Sequence, residues 1–228
     1  MSFFKNILMN LPEVVKPAQK RLSFKEKLKW TGIVLGLFFI LGMIPLFGLG
    51  ENALQQFEYL SLILGAEFGS LISLGIGPIV TASIVLQLLN GSGIIKFDLT
   101  SADGKRTFQG IQKLLAIFFI IFEAGIYVFM GGLAPANAFL GTSTYFSLQL
   151  ILIFQLILGG LMIMFMDEVI SKWGFGSGIS LFIAAGVSKS IFIRAFSPLA
   201  SPTNPNIATG AIPALFQSLA IGDKITAG

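Results

Sequence analysis

The chain has 228 residues, of which 54% are hydrophobic and 11% charged, with a net charge of +4 and a pI near 9.4. Soluble domains carry roughly a quarter charged residues, so the composition points to a membrane protein. The absence of cysteine and histidine excludes disulfides, Cys/His zinc sites, thiol nucleophiles and the commonest neutral-pH acid and base, and no catalytic, cofactor-binding or metal-binding residue is expected. Residues 2–11 place Phe3, Phe4, Ile7, Leu8 and Leu11 on one helical face, a length suited to lying on a bilayer rather than crossing it. Pro12 and Pro17 then break the pattern, and residues 1–22 read as an N-terminal amphipathic, cytoplasmic segment. Seven of the fifteen basic residues lie between Lys5 and Lys29, a juxtamembrane cluster that suits anionic lipid better than nucleic acid.

The sequence predicts an all-α, polytopic membrane domain over 23–196 with five spans, since about 20 apolar residues cross a bilayer core as a helix. The first runs over about 30–49; it is too long for a signal-peptide core, and no small-residue cleavage pattern follows it. From Phe57 to Leu64 the chain is apolar but too short to span, and it is flanked by Glu51, Glu58 and Glu67, with Gly65 and Gly69 after it. The second span, 71–89, carries Gly75, Gly77 and Pro78. Such interruptions mark broken or re-entrant helices, tolerated where backbone lines a cavity or is buried in protein. A polar loop, 90–113, holds the Asp103-Gly104 turn signal. The third span, 114–133, has Glu123 near its middle. The fourth, 146–166, includes Gln149, Gln155, Gly159 and Gly160, small and polar residues that suit close helix packing. After Asp167, Glu168, Lys172 and a GFGSG turn comes a shorter fifth span, 179–196. The Pro/Ala/Ser-rich tail, 197–228, reads as external and contains a short helical stretch at 214–221.

Twelve of the fifteen basic residues fall on one side if the N-terminus is inside, and the two opposite loops carry none. By the positive-inside rule the N-terminus is cytoplasmic, and five spans place the C-terminus outside. Lys189, Arg194 and Lys224 are the exceptions, the first two being placed where long stems can snorkel to the interface.

Three stretches in order carry a family resemblance. LGIGPIVTASIVLQLL (74–89) resembles the second transmembrane helix of the SecY family, with its pattern LGI-x-P-x-[IV]-[TS]-A. FQGIQKLL (108–115) and DEVISKWGFGSGISLFIAAGVS (167–188) resemble the following loop and the fifth helix. FKEKLKWTGI (24–33) and the GSGI form of the last motif look like the archaeal and eukaryotic branch, and the resemblance covers about residues 11–196. It implies one half of a ten-helix, inverted-repeat, protein-conducting channel in the plasma membrane. The chain stops where the connection to a sixth span is expected, so a C-terminal half or a second copy is expected to complete the channel. SecE-type and small beta/SecG-type subunits are expected beside it, with membrane lipid around it and signal-sequence polypeptides as its cargo. Ribosome docking, which the resemblance assigns to loops of the other half, is not expected of this stretch alone.

Ile76 and Val80 are four apart, as are Ile179 and Ile183, so each pair shares a helix face. Taken as residues alone, such pairs are ordinary lipid or helix contacts. The resemblance implies instead half of an apolar pore ring, which excludes ions by dewetting. It also implies a plug over 58–68 (Glu58, Tyr59, Leu60, Leu62, Ile63, Leu64, Gly65, Phe68), for which a plain ordered loop is the competitor. A mid-membrane carboxylate costs about 2.5 to 3.5 kcal/mol if ionised and unpaired, so Glu123 needs a partner, water or a proton. The resemblance implies a lateral-gate cluster of Glu123 with Thr81, and a packing hydrogen bond to another helix is the alternative. Lys105 and Arg106 read as anchors at anionic headgroups. The rival function is a small-solute secondary transporter, whose midplane site would gather paired charges or several polar groups. An intramembrane hydrolase would need His, Cys or a paired acid.

Overall fold

A computed structural model describes residues 12–18, 22–50, 69–95, 97–199 and 208–221. Six α-helices organise them: α1 (Phe24–Met43), α2 (Gly77–Gly91), α3 (Ala102–Phe129), α4 (Ser143–Trp173), α5 (Gly178–Phe196) and α6 (Ala211–Ile221), with a 3₁₀ turn at Asn137–Phe139. No strand is present among the described residues.

Each boundary has a local cause. Ser23 and Glu26 form a reciprocal capping box that starts α1, satisfying main-chain donors that the first turn leaves open. The helix ends at Met43 because Ile44 precedes Pro45, and a residue before proline is pushed out of the α region; Ile44 is extended. The first expected span therefore divides: its last residues, 44–50, are a non-helical crossover. Gly75, at φ 59°, makes the left-handed turn before α2, and Pro78 occupies its first turn, where a missing N–H costs nothing. The helical part of the second expected span thus begins at Gly77 and lasts 15 residues, about 22 Å at 1.5 Å per residue. That is shorter than a hydrocarbon core of about 30 Å.

Helix α3 starts at Ala102, twelve residues before the expected third span, because Ser101 caps it by accepting from Gly104 N–H at 3.1 Å. Helix α4 is 31 residues long and ends at Trp173. Both project polar turns beyond an apolar middle. Among the described residues, three helices are long and apolar enough to cross a membrane: Asp103–Phe129, Ser143–Trp173 and Gly178–Phe196. Helix α1 has Lys25, Glu26, Lys27 and Lys29 in its first turns, and α2 is short.

Helix α4 is the spine. It packs against α1, α3 and α5, while α2 lies on α3 and α6 on α5. Two apolar clusters meet along it. One gathers Val34 and Phe38 of α1 with Ile79, Ile163, Ile170 and Phe182; Phe38 and Phe182 stack at 4.8 Å. The other gathers Leu46 and Leu49 of the crossover with Ile120, Val128, Leu152 and Leu156. Many large apolar side chains outside these clusters are exposed, including Ile40, Phe122, Phe154 and Phe192, as suits a surface solvated by lipid. Because lipid is as apolar as leucine, close packing rather than burial from water holds such helices together.

The paired glycines of α4 provide that packing on two faces. A Cβ on Gly159 would lie 1.8 Å from the Leu71 carbonyl oxygen, and one on Gly160 would lie 2.8 Å from Ile120 Cγ2. One glycine admits the lead-in to α2, the other admits α3. Gly160→Ala meets a side chain that can turn away, and is expected to cost about 1 kcal/mol, read as a small fall in thermal midpoint in detergent.

Candidate functional site

The aliphatic candidates sit at the first turns of two helices. Ile76 is the residue before α2 and accepts from Val80 N–H at 3.0 Å; both side chains are half-buried. Ile179 is in the first turn of α5 and half-buried, whereas Ile183, one turn on, is 49% exposed. Ile76 and Ile179 pack against the same apolar cluster, around Phe38, Ile163 and Phe182, although α2 and α5 are not a packed helix pair. Val80 and Ile183 lie outside that cluster.

The start of α5 is fixed by α4. Asp167 Oδ1 accepts from Ile179 N–H at 2.9 Å, and Gly178 N–H also donates to the carboxylate. A Cβ on Gly178 would stand 2.7 Å from Asp167 Cα, which explains why the turn between α4 and α5 ends in glycine. The Asp167 carboxylate thus caps α5 from a neighbouring helix, at the end where a helix favours negative charge. Asp167→Ala is expected to cost about 1 to 2 kcal/mol and to speed amide exchange at Gly178 and Ile179; Asp167→Asn, which keeps an acceptor, should lose less.

Glu123 on α3 is half-buried and faces the beginning of α2, where a Cβ on Gly77 would lie 3.7 Å from Glu123 Oε2. The first turn of a helix carries unpaired N–H groups and partial positive charge, so this is a favourable place for a carboxylate in an apolar setting. Thr81 is half-buried in the next turn of α2, and no hydrogen bond joins it to Glu123. The structure brings the carboxylate to the break in α2 rather than onto the threonine.

At the far end of α1 the crossover is held on three sides. Leu46 N–H donates to Gly69 O at 2.8 Å and Leu71 N–H to Ile44 O at 2.9 Å, an isolated antiparallel bridge at Pro45 and Ser70. The side-chain amide of Gln155 accepts from Phe47 N–H at 2.9 Å and donates to Phe47 O at 3.0 Å. Gly50 N–H donates to Ala134 O at 3.0 Å. Irregular backbone is thereby satisfied within the protein, as a membrane setting requires. Gly50 and Gly69, the residues on either side of 51–68, are both attached to the bundle. The plug candidates Glu58, Tyr59, Leu60, Leu62, Ile63, Leu64, Gly65 and Phe68 lie outside the described residues, as does the surface-helix reading of 2–11.

Sequence reasoning missed a charged cluster at the opposite end. Lys113 of α3 pairs with Glu168 of α4, and Lys172 pairs with Glu13 at 2.5 Å and with Glu168 at 3.7 Å. Lys113 also lies 5.4 Å from the centre of the Phe165 ring. The same side chains, with Trp173, hold the main chain of residues 12–15. The Lys172 hydrogen bond holds the Glu13 carboxyl below the usual carboxylate range. Residues 55 apart leave no local pattern by which such a pairing can be read. No group of three or more metal-ligating side chains occurs among the described residues.

Comparison with known proteins gives this geometry a context. The SecY family model matches residues 70–223. The protein translocase subunit SecY of Methanothermobacter thermautotrophicus is 50% identical over 221 residues, which are 97% of this chain and 46% of that protein. A solved SecY structure, concerned with a plug domain that stabilises the closed state of the translocation channel and maintains a membrane seal, superposes with a TM-score of 0.78. It is 42% identical over 95% of this chain and 45% of its own. Sec61 in a canine ribosome-channel complex from the endoplasmic reticulum superposes with a TM-score of 0.73, at 41% identity over 95% of this chain and 46% of its own. The chain spans about half the length of the relatives it matches.

Proposed function

The chain belongs to the SecY family, and on that premise we propose that it forms the N-terminal half of a protein-conducting channel, a passive path for secretory polypeptides that also releases membrane segments sideways into lipid. The observation that carries this reading is the aliphatic opening of α2 and α5: Ile76 and Val80 stand at the start of α2, and Ile179 and Ile183 in the first two turns of α5, with Glu123 as the single acid of the apolar middle of α3. A solute transporter needs several polar groups converging at mid-membrane, and the described residues offer no such group. An aliphatic constriction sheds water and ions when empty, yet yields to a chain pushed through it.

In this reading Ile76, Val80, Ile179 and Ile183 supply one wall of the constriction, residues 58–68 seal it, and Thr81 and Glu123 border the lateral opening. The exposed Ile183 supports a missing opposite wall. That wall comes from a C-terminal half or a second copy, clamped by a SecE-type subunit and joined by a small beta/SecG-type one. Ribosome contact, as in the canine ribosome-channel complex that contains Sec61, belongs to the assembled channel. The cargo is a polypeptide bearing a signal sequence. The assembly sits in the plasma membrane, with the N-terminus cytoplasmic and residues 197–228 external.

Two measurements test the proposal. Native mass spectrometry from mild detergent, paired with a translocation assay, should find activity once a C-terminal half and a SecE-type subunit are supplied; full activity of a lone monomer refutes the half-channel reading. For orientation, the cysteine-free sequence allows single-cysteine labelling at Thr100 and Asn137, both exposed. An impermeant reagent added outside is expected to modify Asn137→Cys and spare Thr100→Cys; the reverse pattern overturns the topology.

A further inference from the structure

Residues 12–15 are gripped almost wholly by their main chain. Lys113 Nζ donates to Pro12 O, Lys172 Nζ to Val14 O at 2.6 Å and Trp173 Nε1 to Val15 O at 2.8 Å, while Glu168 Oε2 accepts from Val14 N–H at 3.0 Å. One polar contact, Lys172 with Glu13, reads a side chain. The holding groups are deeply set: the side chains of Lys113, Glu168 and Lys172 are 11%, 17% and 12% exposed. The held segment is not, since the Glu13 side chain is 62% exposed, Val15 is exposed, and no residue of 12–15 belongs to either apolar cluster.

A buried wall holding an exposed segment by main-chain bonds has the chemistry of a peptide-binding groove, in which backbone contacts give affinity and side chains add selectivity. The charges fit the same description. Lys113, Glu168 and Lys172 together carry one positive charge in excess, which Glu13 neutralises, and the three donors that meet Pro12, Val14 and Val15 are the complement of a run of carbonyls. We infer that the ends of α3 and α4 form a peptide-docking groove, and that residues 12–15 of this same chain are its intramolecular ligand, detachable by local opening while the helix bundle stays folded. Elements with few apolar contacts open at low free-energy cost, and residues 12–15, which join neither apolar cluster, have that character. The wall, built on the two longest helices, does not.

The test uses the full chain in lipid nanodiscs, read by hydrogen exchange at the Val14 amide and by cleavage at Glu13 with a glutamate-specific protease. Wild-type Val14 is expected to exchange slowly. Glu168→Ala, which removes its acceptor and the centre of the ion network, should speed that exchange and the Glu13 cut by about tenfold or more, the order expected for losing a charged hydrogen bond. Trp173→Phe removes the Val15 bond while keeping an aromatic ring beside Trp30, whose ring lies 5.3 Å from that of Trp173, and should have a smaller effect in the same direction. Glu13→Gln leaves every main-chain bond in place and should change Val14 exchange by less than about threefold, as for an exposed ion pair. In all three variants the amides of α4 from Leu152 to Ile163 should keep wild-type protection. Unprotected Val14 in the wild type shows that the groove is empty and overturns the proposal. A loss of protection throughout α3 and α4 in Trp173→Phe makes the strap an integral part of the fold, and Glu13→Gln releasing it as fully as Glu168→Ala makes recognition a side-chain matter. Either result refutes the inference.

Discussion

Asparagine at both Ile76 and Ile183 is expected to make the assembled channel leak small ions, raising its closed-state conductance in planar bilayers by about tenfold or more, since a hydrated ring no longer excludes ions by dewetting. The structure separates two contributions to that result. Ile76 packs against the apolar cluster, so asparagine there also weakens packing. Ile183 is half-exposed, so Ile183→Asn by itself changes polarity with little cost in folding, and it should reproduce part of the leak. Phe192 is exposed on the same helix, nine residues on and about 180° round the axis at 3.6 residues per turn. Phe192→Asn should leave conductance at the wild-type level. Should Phe192→Asn open a leak while the double variant does not, the pore wall has been assigned to the wrong face. Ile76→Val and Ile183→Leu, which preserve apolarity, should stay closed.

Gly159→Ala is expected to be among the most damaging single methyl additions in the protein. The new Cβ would meet the Leu71 carbonyl oxygen at 1.8 Å, and a main-chain atom cannot rotate out of the way as a side chain does. The lead-in to α2 would have to lift off α4, disturbing the Leu71 to Ile44 hydrogen bond and the packing of Leu71, which touches both apolar clusters. Overpacking costs about 1 to 3 kcal/mol and occasionally more, and this site belongs at or above the top of that range. Gly36 of α1 is the comparison: a Cβ there meets nothing within 4 Å, so Gly36→Ala should be neutral or stabilise by about 0.5 to 1 kcal/mol through helix propensity. Thermal unfolding in detergent, followed by helical circular dichroism, distinguishes the two. Equal midpoints for Gly159→Ala and Gly36→Ala refute the close approach of Leu71 to α4.

The parts of the fold legible in the sequence are those that obey local rules. Apolar blocks announced α3, α4 and α5, the Gly75, Gly77 and Pro78 series announced a break before α2, and adjacent glycines announced close packing on α4. Hydrophobicity could not show that α1 stops at Met43, because the crossover 44–50 is as apolar as the helix and has its irregular backbone hydrogen-bonded within the protein; Pro45 was the signal, acting on the residue before it. The early start of α3 was hidden because its first turns are polar, and a search for apolar blocks begins where the polar turns end. Among the candidate site residues, Ile76 and Ile179 are brought to one cluster by tertiary packing that sequence spacing does not encode. The grip on residues 12–15 was illegible for another reason: it reads main chain, and main chain has no sequence signature.

The contact between Leu71 and Gly159 has a mechanical consequence. Where side chains separate two elements, they act as compressible pads and allow small independent shifts; here carbonyl meets helix backbone with no pad between them. That point behaves as a fulcrum, and α2 beyond it is a lever about 22 Å long by helical rise. A tilt of a few degrees at the fulcrum moves the residues beside it, Ile76 and Val80, far less than it moves Leu88 and Asn90 at the other end. Such a pivot lets the far end of α2 swing through several ångströms while the first turn of that helix stays nearly in place.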